Sequence, residues 1–180
     1  MDIKEAGKEE RKSGSPLYNI LLYGVMAFYL LLLLAILFRT SHPVRSLNLL
    51  PFHSIIDYTA GNNQILRSFA FTNLAGNIVI FVPLGVYLMM FSRSKKVWKN
   101  LLAVFVFSLT VEIIQYVFKL GIGDIDDIIL NCLGGLLGIL IYRIMLKLCR
   151  SDEKVRRVVA VAAPVVGVLS FLFLYLYNVR

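Results

Sequence analysis

The sequence predicts an all-α, polytopic membrane protein, a bundle of about five transmembrane helices with a short interfacial segment outside. Three observations carry this. Of the 180 residues 58% are hydrophobic, and the mean hydropathy is +0.75, where a soluble domain runs nearer about 45–50% apolar. The excess lies in long apolar runs, each of a length that crosses a hydrocarbon core of about 30 Å. The basic residues behind the net charge of +8 sit in short connections between those runs. That is where the positive-inside rule places them, and it argues against a nucleic-acid partner.

Residues 1–17 set Lys4, Lys8, Arg11 and Lys12 against Asp2, Glu5, Glu9 and Glu10, and read as a mobile, solvated cytoplasmic tail. Residues 18–38 form the first span, too long for a signal-peptide core and followed by no small-x-small cleavage site. Arg39–Thr72 is the longest connection. Its middle, Leu47–Ile56, mixes polar and apolar residues around Pro51 and is too short and broken to span, so an interfacial or re-entrant segment is expected. Gly61-Asn62-Asn63 is a turn signal.

The second span, 74–91, carries Gly76, Pro83 and Gly85 and is expected to be irregular. Arg93, Lys95, Lys96 and Lys99 make the next loop, with Trp98 as an interfacial anchor. The third span is 101–118, and a tight acidic turn follows at Gly121–Asp127. The fourth span, 128–148, carries Gly134-x-x-x-Gly138, a spacing that lets another helix approach closely. Residues 149–157 read as a charged cytoplasmic linker and 158–180 as an additional transmembrane helix with an outer C-terminus. Cys132 and Cys149 share one expected helix, about 25 Å apart at 1.5 Å per residue, so they are packing residues and not a disulfide. With the N-terminus inside, the inner segments hold 14 Lys and Arg and the outer segments five. That bias gives an N-in, C-out protein.

Glu112 is the only charge in the 18 residues of the third span. An ionised side chain at the centre of a membrane helix costs about 2.5–3.5 kcal/mol on insertion scales, so such residues face a bundle interior or a wet cavity. Ser108, Glu112, Gln115 and Lys119 follow one another at helical spacing and put a polar stripe on one face. In the N-in orientation Glu112 lies about 9 Å from the outer end of its helix, and Asn77 and Asn131 about 6 Å from theirs. Three helices thus bring a carboxylate and two carboxamides into one outer layer.

The stretches Asn48-Leu49-Leu50-Pro51-Phe52, Asn73-Leu74-Ala75-Gly76-Asn77, Phe81-Val82-Pro83-Leu84-Gly85, Glu112-Ile113-Ile114-Gln115 and Asp124-Ile125-Asp126-Asp127, followed by Asn131 and Gly134, resemble the VanZ-like family of bacterial membrane proteins. The resemblance covers about half of the chain, from Arg45 to about Gly138. It implies a multi-pass protein of the cell envelope associated with reduced susceptibility to teicoplanin-type glycopeptides. The family commonly has an arginine just before the acidic turn. Here Gly121-Ile122-Gly123 stands in its place, and Lys119 is the nearest cation.

The expected ligand-binding residues are Glu112, Gln115, Asn77 and Asn131 in the outer layer and Asn48 and Asn73 beside them. Asp124, Asp126 and Asp127 stand at the turn, with Arg45 and Arg67 near the mouth, where their guanidinium geometry suits phosphate. Each has a plainer reading. The amides bridge helices, and an acid ahead of a helix caps it and suits its dipole. Three acids exceed what capping needs, which leaves a divalent cation open. His42 and His53 lack metal-ligand spacing, and no metal or cofactor is assigned. Two functions remain. One is binding of a lipid-linked wall precursor or a lipidated glycopeptide from the membrane. The other is an intramembrane hydrolase or transferase, in which Glu112 serves as general base with Asp126 or Asp127 as its partner acid. The sequence assigns no oligomeric state.

Overall fold

A computed structural model of the chain describes residues 16–38, 47–52, 56, 64–120 and 123–179, and the side chains within 18–38, 47–52, 56, 74–120 and 123–165. Residues 1–15 of the expected tail, His42, Arg45, His53, the Gly61-Asn62-Asn63 turn and Gly121-Ile122 lie outside the described residues. In chain order the elements are α1 (Pro16–Leu37), β1 (Leu47–Asn48), α2 (Gln64–Phe91), α3 (Val97–Phe118), β2 (Gly123–Asp124), α4 (Ile125–Cys149) and α5 (Asp152–Val179). The protein is an all-helical polytopic membrane protein. Among the described residues, four helices are long and apolar enough to cross a membrane: Tyr18–Leu37, Leu74–Phe91, Val97–Phe118 and Ile125–Cys149. The expected fifth span is helical within α5, and its side chains beyond 165 lie outside the described residues.

The helices run further than their apolar cores. α2 starts at Gln64, inside the stretch expected to be a connection, and α3 starts at Val97, so Trp98 and Lys99 are helical. α4 starts at Ile125 and α5 at Asp152, which reduces the expected linker of 149–157 to Arg150 and Ser151. Local chemistry sets these ends. The Asn100 amide donates to the carbonyls of Ser94 and Lys96, both at 2.8 Å, and holds the turn that starts α3. Lys95 Nζ donates to the Met89 carbonyl at 2.6 Å and the Met90 carbonyl at 3.2 Å, satisfying the end of α2. Lys119, at φ 57°, is the left-handed cap of α3, its N–H on the Gln115 carbonyl. The second span is one continuous helix through Pro83 and not the irregular element expected. Membrane helices tolerate proline where neighbours satisfy the freed carbonyl.

The chain divides into two compact units. In the larger, residues 31–148, helices α2, α3 and α4 pack on one another. Gly134 and Gly138 of α4 lie against the carbonyls of Ile78 and Val82 on α2, and Gly85 of α2 lies against the Gly135 carbonyl. A Cβ on any of the three would sit 2.0–2.1 Å from an oxygen, so only glycine permits this approach. The sequence spacing of the glycines pointed to it. The rings of Phe81 and Phe107 meet edge to face at 6.1 Å between α2 and α3. Val104 lies under Gly135, and Lys95 Nζ bonds the Tyr142 hydroxyl at 3.1 Å at the basic end. Phe81, Met90, Val104, Ile139 and Tyr142 are fully buried. Ile113, Phe118, Ile144 and Leu148 are more than half exposed, which is the surface a helix offers to lipid. In the smaller unit α1 buries Leu22 among exposed Ile20, Tyr23 and Phe28, and α5 buries Val155, Val159 and Ala160. Both cysteines are free and lie on α4.

Candidate functional site

The site forms where α3 ends and α4 begins. β1 and β2 pair there in parallel, Leu47 with Gly123 and Asn48 with Asp124. This pairing joins the expected interfacial segment to the acidic turn, a link that no local pattern in either stretch announces. Around it stand four carboxylates from α3, β2 and α4.

Glu112, on the inner face of α3, is 7% exposed. Its Oε2 accepts the Asp124 N–H at 3.0 Å, so α3 holds β2 through a main-chain bond. Asp124 does two further jobs. Its Oδ1 accepts the Asp126 N–H at 2.9 Å, which caps α4 as the sequence suggested. Both of its carboxylate oxygens also face the Asn48 amide at 3.3 Å, and the Asn48 Oδ1 accepts the Leu50 N–H at 3.2 Å. Asp126 is 1% exposed, and its Oδ1 accepts the Phe52 N–H. Phe52 itself adopts φ 65°, and this strained residue and its N–H were not among the expected site members. Asp127, one position on, accepts the Asn77 amide, which ties α4 to α2. Glu112, Asp124, Asp126 and Asp127 thus each fasten a different segment.

Two expected members stand apart from this cluster. Gln115 shares the helix face of Glu112, but its amide donates to the Leu37 carbonyl at 2.7 Å and secures the end of α1. Asn131, 1% exposed, donates to the Ser108 hydroxyl at 2.9 Å, and Ser108 is fully buried. The Asn131 Oδ1 is buried with no hydrogen-bond partner among the described residues. Ser108 was visible in the polar stripe of α3, and its spacing was the signal that made it a partner. The side chains of Arg67 and Asn73, like all of Arg45, lie outside the described residues. Lys119 is exposed and serves as the cap of α3. Among the described residues no three His, Cys, Asp or Glu side chains are grouped to hold a metal ion.

In its ionised form the cluster is a set of acceptors. Carboxylates only accept hydrogen bonds when ionised, and here they take backbone and amide N–H groups. No ion pair to Glu112 or Asp127 exists among the described residues. A cluster so composed suits a partner that brings donors of its own, such as hydroxyl, amide or ammonium groups.

Residues 17–146 match the model of a family described as VanZ/LLP1. The chain is 34% identical over 169 residues to the protein named Protein VanZ of Enterococcus faecium, an alignment that covers 89% of this chain and 94% of that protein. No solved structure matches it.

Proposed function

The chain belongs to the VanZ/LLP1 family, and from that premise we propose that it works in the bacterial cytoplasmic membrane as a receptor for a lipid-linked or lipidated polar ligand. The acidic end of α3 and α4 faces outward, with the N-terminus inside and the C-terminus outside, following the Lys and Arg distribution. The ligand head meets the acidic cluster beside the turn at Asn48–Phe52, and its tail stays in the bilayer. Lipid-linked wall precursors and lipidated glycopeptides have this form. Their sugars and amides offer the donors that a carboxylate cluster takes, and Arg45 and Arg67 meet phosphate where the ligand has it. The physiological outcome is reduced susceptibility to teicoplanin-type drugs, whose lipid tail partitions into the leaflet where the site opens.

The observation that supports this most directly is the buried Glu112 carboxylate, 7% exposed, engaged by one backbone N–H and by no cation among the described residues. A membrane helix retains so costly a group for an interaction that packing alone does not need. The test is teicoplanin and vancomycin susceptibility in a sensitive host, wild type against Glu112→Gln at equal membrane abundance. Wild type protects selectively against teicoplanin, and the Gln variant loses most of that protection. Equal protection by both defeats the reading.

A second reading, an intramembrane hydrolase or transferase, draws on the two buried carboxylates Glu112 and Asp126, which bond to the Asp124 N–H and the Phe52 N–H. It predicts turnover of a labelled lipid-linked precursor, which a receptor lacks.

A further inference from the structure

At the opposite end of the larger unit, on the exposed face of α3, lies a shallow, open surface groove of about 510 Å³, its lining drawn from α3 alone. Its residues fall on two neighbouring ridges, Lys99, Ala103 and Phe107 on one and Leu102, Val106 and Thr110 on the other. Leu102 and Val106 are half exposed, at 52% and 53%. The Thr110 hydroxyl donates to the Val106 carbonyl at 2.7 Å, so the far end presents no unmet polar group. The near end is different. Lys99 stands there with its ammonium 5.5 Å from the Trp98 ring centre, and Trp98 is 60% exposed. Arg93, Lys95 and Lys96 precede it in the chain.

From Lys99 to Thr110 is eleven residues, or about 16 Å along a helix. That is about half of a 30 Å hydrocarbon core, the depth of a single leaflet. A cation and an exposed indole stand at the head, and an apolar trough one leaflet deep runs below. This arrangement complements one molecule: an anionic phospholipid, phosphate on Lys99 and one acyl chain along Ala103, Val106 and Phe107. A helix partner would need no cation at one end only. We propose that this groove is a binding site for an anionic phospholipid, separate from the acidic cluster at the other end of α3.

Trp98 is the chain's single tryptophan and reports on the site directly. The full-length protein is reconstituted in phosphatidylcholine vesicles, and Trp98 emission is followed as acyl-brominated phosphatidylglycerol or acyl-brominated phosphatidylcholine is added. The site predicts half-quenching at about fivefold lower mole fraction for phosphatidylglycerol, of the order one basic side chain contributes at an anionic surface. Lys99→Gln abolishes most of that preference. Ala103→Phe, which fills the trough and leaves every basic residue in place, does the same. Both positions are exposed, so neither variant disturbs the core. Equal quenching by the two lipids overturns the proposal. So does a preference that survives Ala103→Phe, which is charge attraction alone, and so does a Trp98 that neither lipid quenches, which is a groove covered by protein.

Discussion

Glu112 and Asn131, both buried, are treated oppositely. Glu112 has a main-chain donor. Asn131 is buried with one oxygen unpaired among the described residues, and its amide donates to Ser108. An unpaired buried acceptor costs about 1–3 kcal/mol, while hydrogen bonds between membrane helices average about 0.6 kcal/mol in a measured case. The pair is therefore better explained by specification of how α3 meets α4 than by net stability. It follows that Ser108→Ala, which removes the Ser108 partner of Asn131, lowers the midpoint of thermal unfolding in detergent. The double variant Ser108→Ala with Asn131→Leu recovers most of the loss, since replacing both partners by apolar groups is nearly neutral. Additive losses would mean that the two side chains act separately. Ser108, Glu112 and Gln115 were legible as a polar stripe because helical spacing is written in a single segment. The separate destinations of their bonds were not, because Asp124, Asn131 and Leu37 belong to other segments.

At the scale of elements, the three glycine contacts decide how α2 and α4 meet. With a Cβ at Gly138 only 2.0 Å from the Val82 carbonyl, and an ordinary contact well beyond 3 Å, the axes must separate by more than an ångström. Gly138→Ala is expected to cost about 1–3 kcal/mol, the usual range for overpacking. It also breaks the Asn77–Asp127 bond, about two helix turns from Gly134 along α4. Loss of a cysteine cross-link between positions 77 and 127, formed readily in the parent and absent in the Gly138→Ala background, is the direct readout. Gly76 meets nothing within 4 Å and its replacement by Ala is the matched control, leaving the cross-link intact. The spans were readable from hydropathy, yet their starts were not. Gln64, Val97 and Asp152 begin their helices outside the apolar runs, where hydropathy carries no signal.

For the whole molecule, the division of labour between the two ends of α3 depends on which end meets which aqueous phase. The proposed orientation, drawn from the charge count, puts the acidic end outside and the Lys95–Lys99 end inside. In cells expressing a chain with both cysteines replaced by alanine, Lys119→Cys is labelled by a membrane-impermeant maleimide. Lys96→Cys is labelled only after permeabilisation. The reverse pattern would turn the acidic cluster to the cytoplasm and remove the outward-facing receptor.

The pairing of β1 with β2 has a further consequence, for biosynthesis. Asn48 and Asp124 are 76 residues apart, and two complete membrane crossings lie between them. At about 5–20 residues per second on the ribosome, Asn48 emerges roughly 4–15 seconds before its partner. During that interval the α2–α3 hairpin must already have been delivered to the bilayer, and the strand waits with its main-chain groups satisfied by something else. The acidic cluster thus cannot form until both crossings have been made. Slowed or failed insertion of α3 would leave it unmade while every earlier helix is in place.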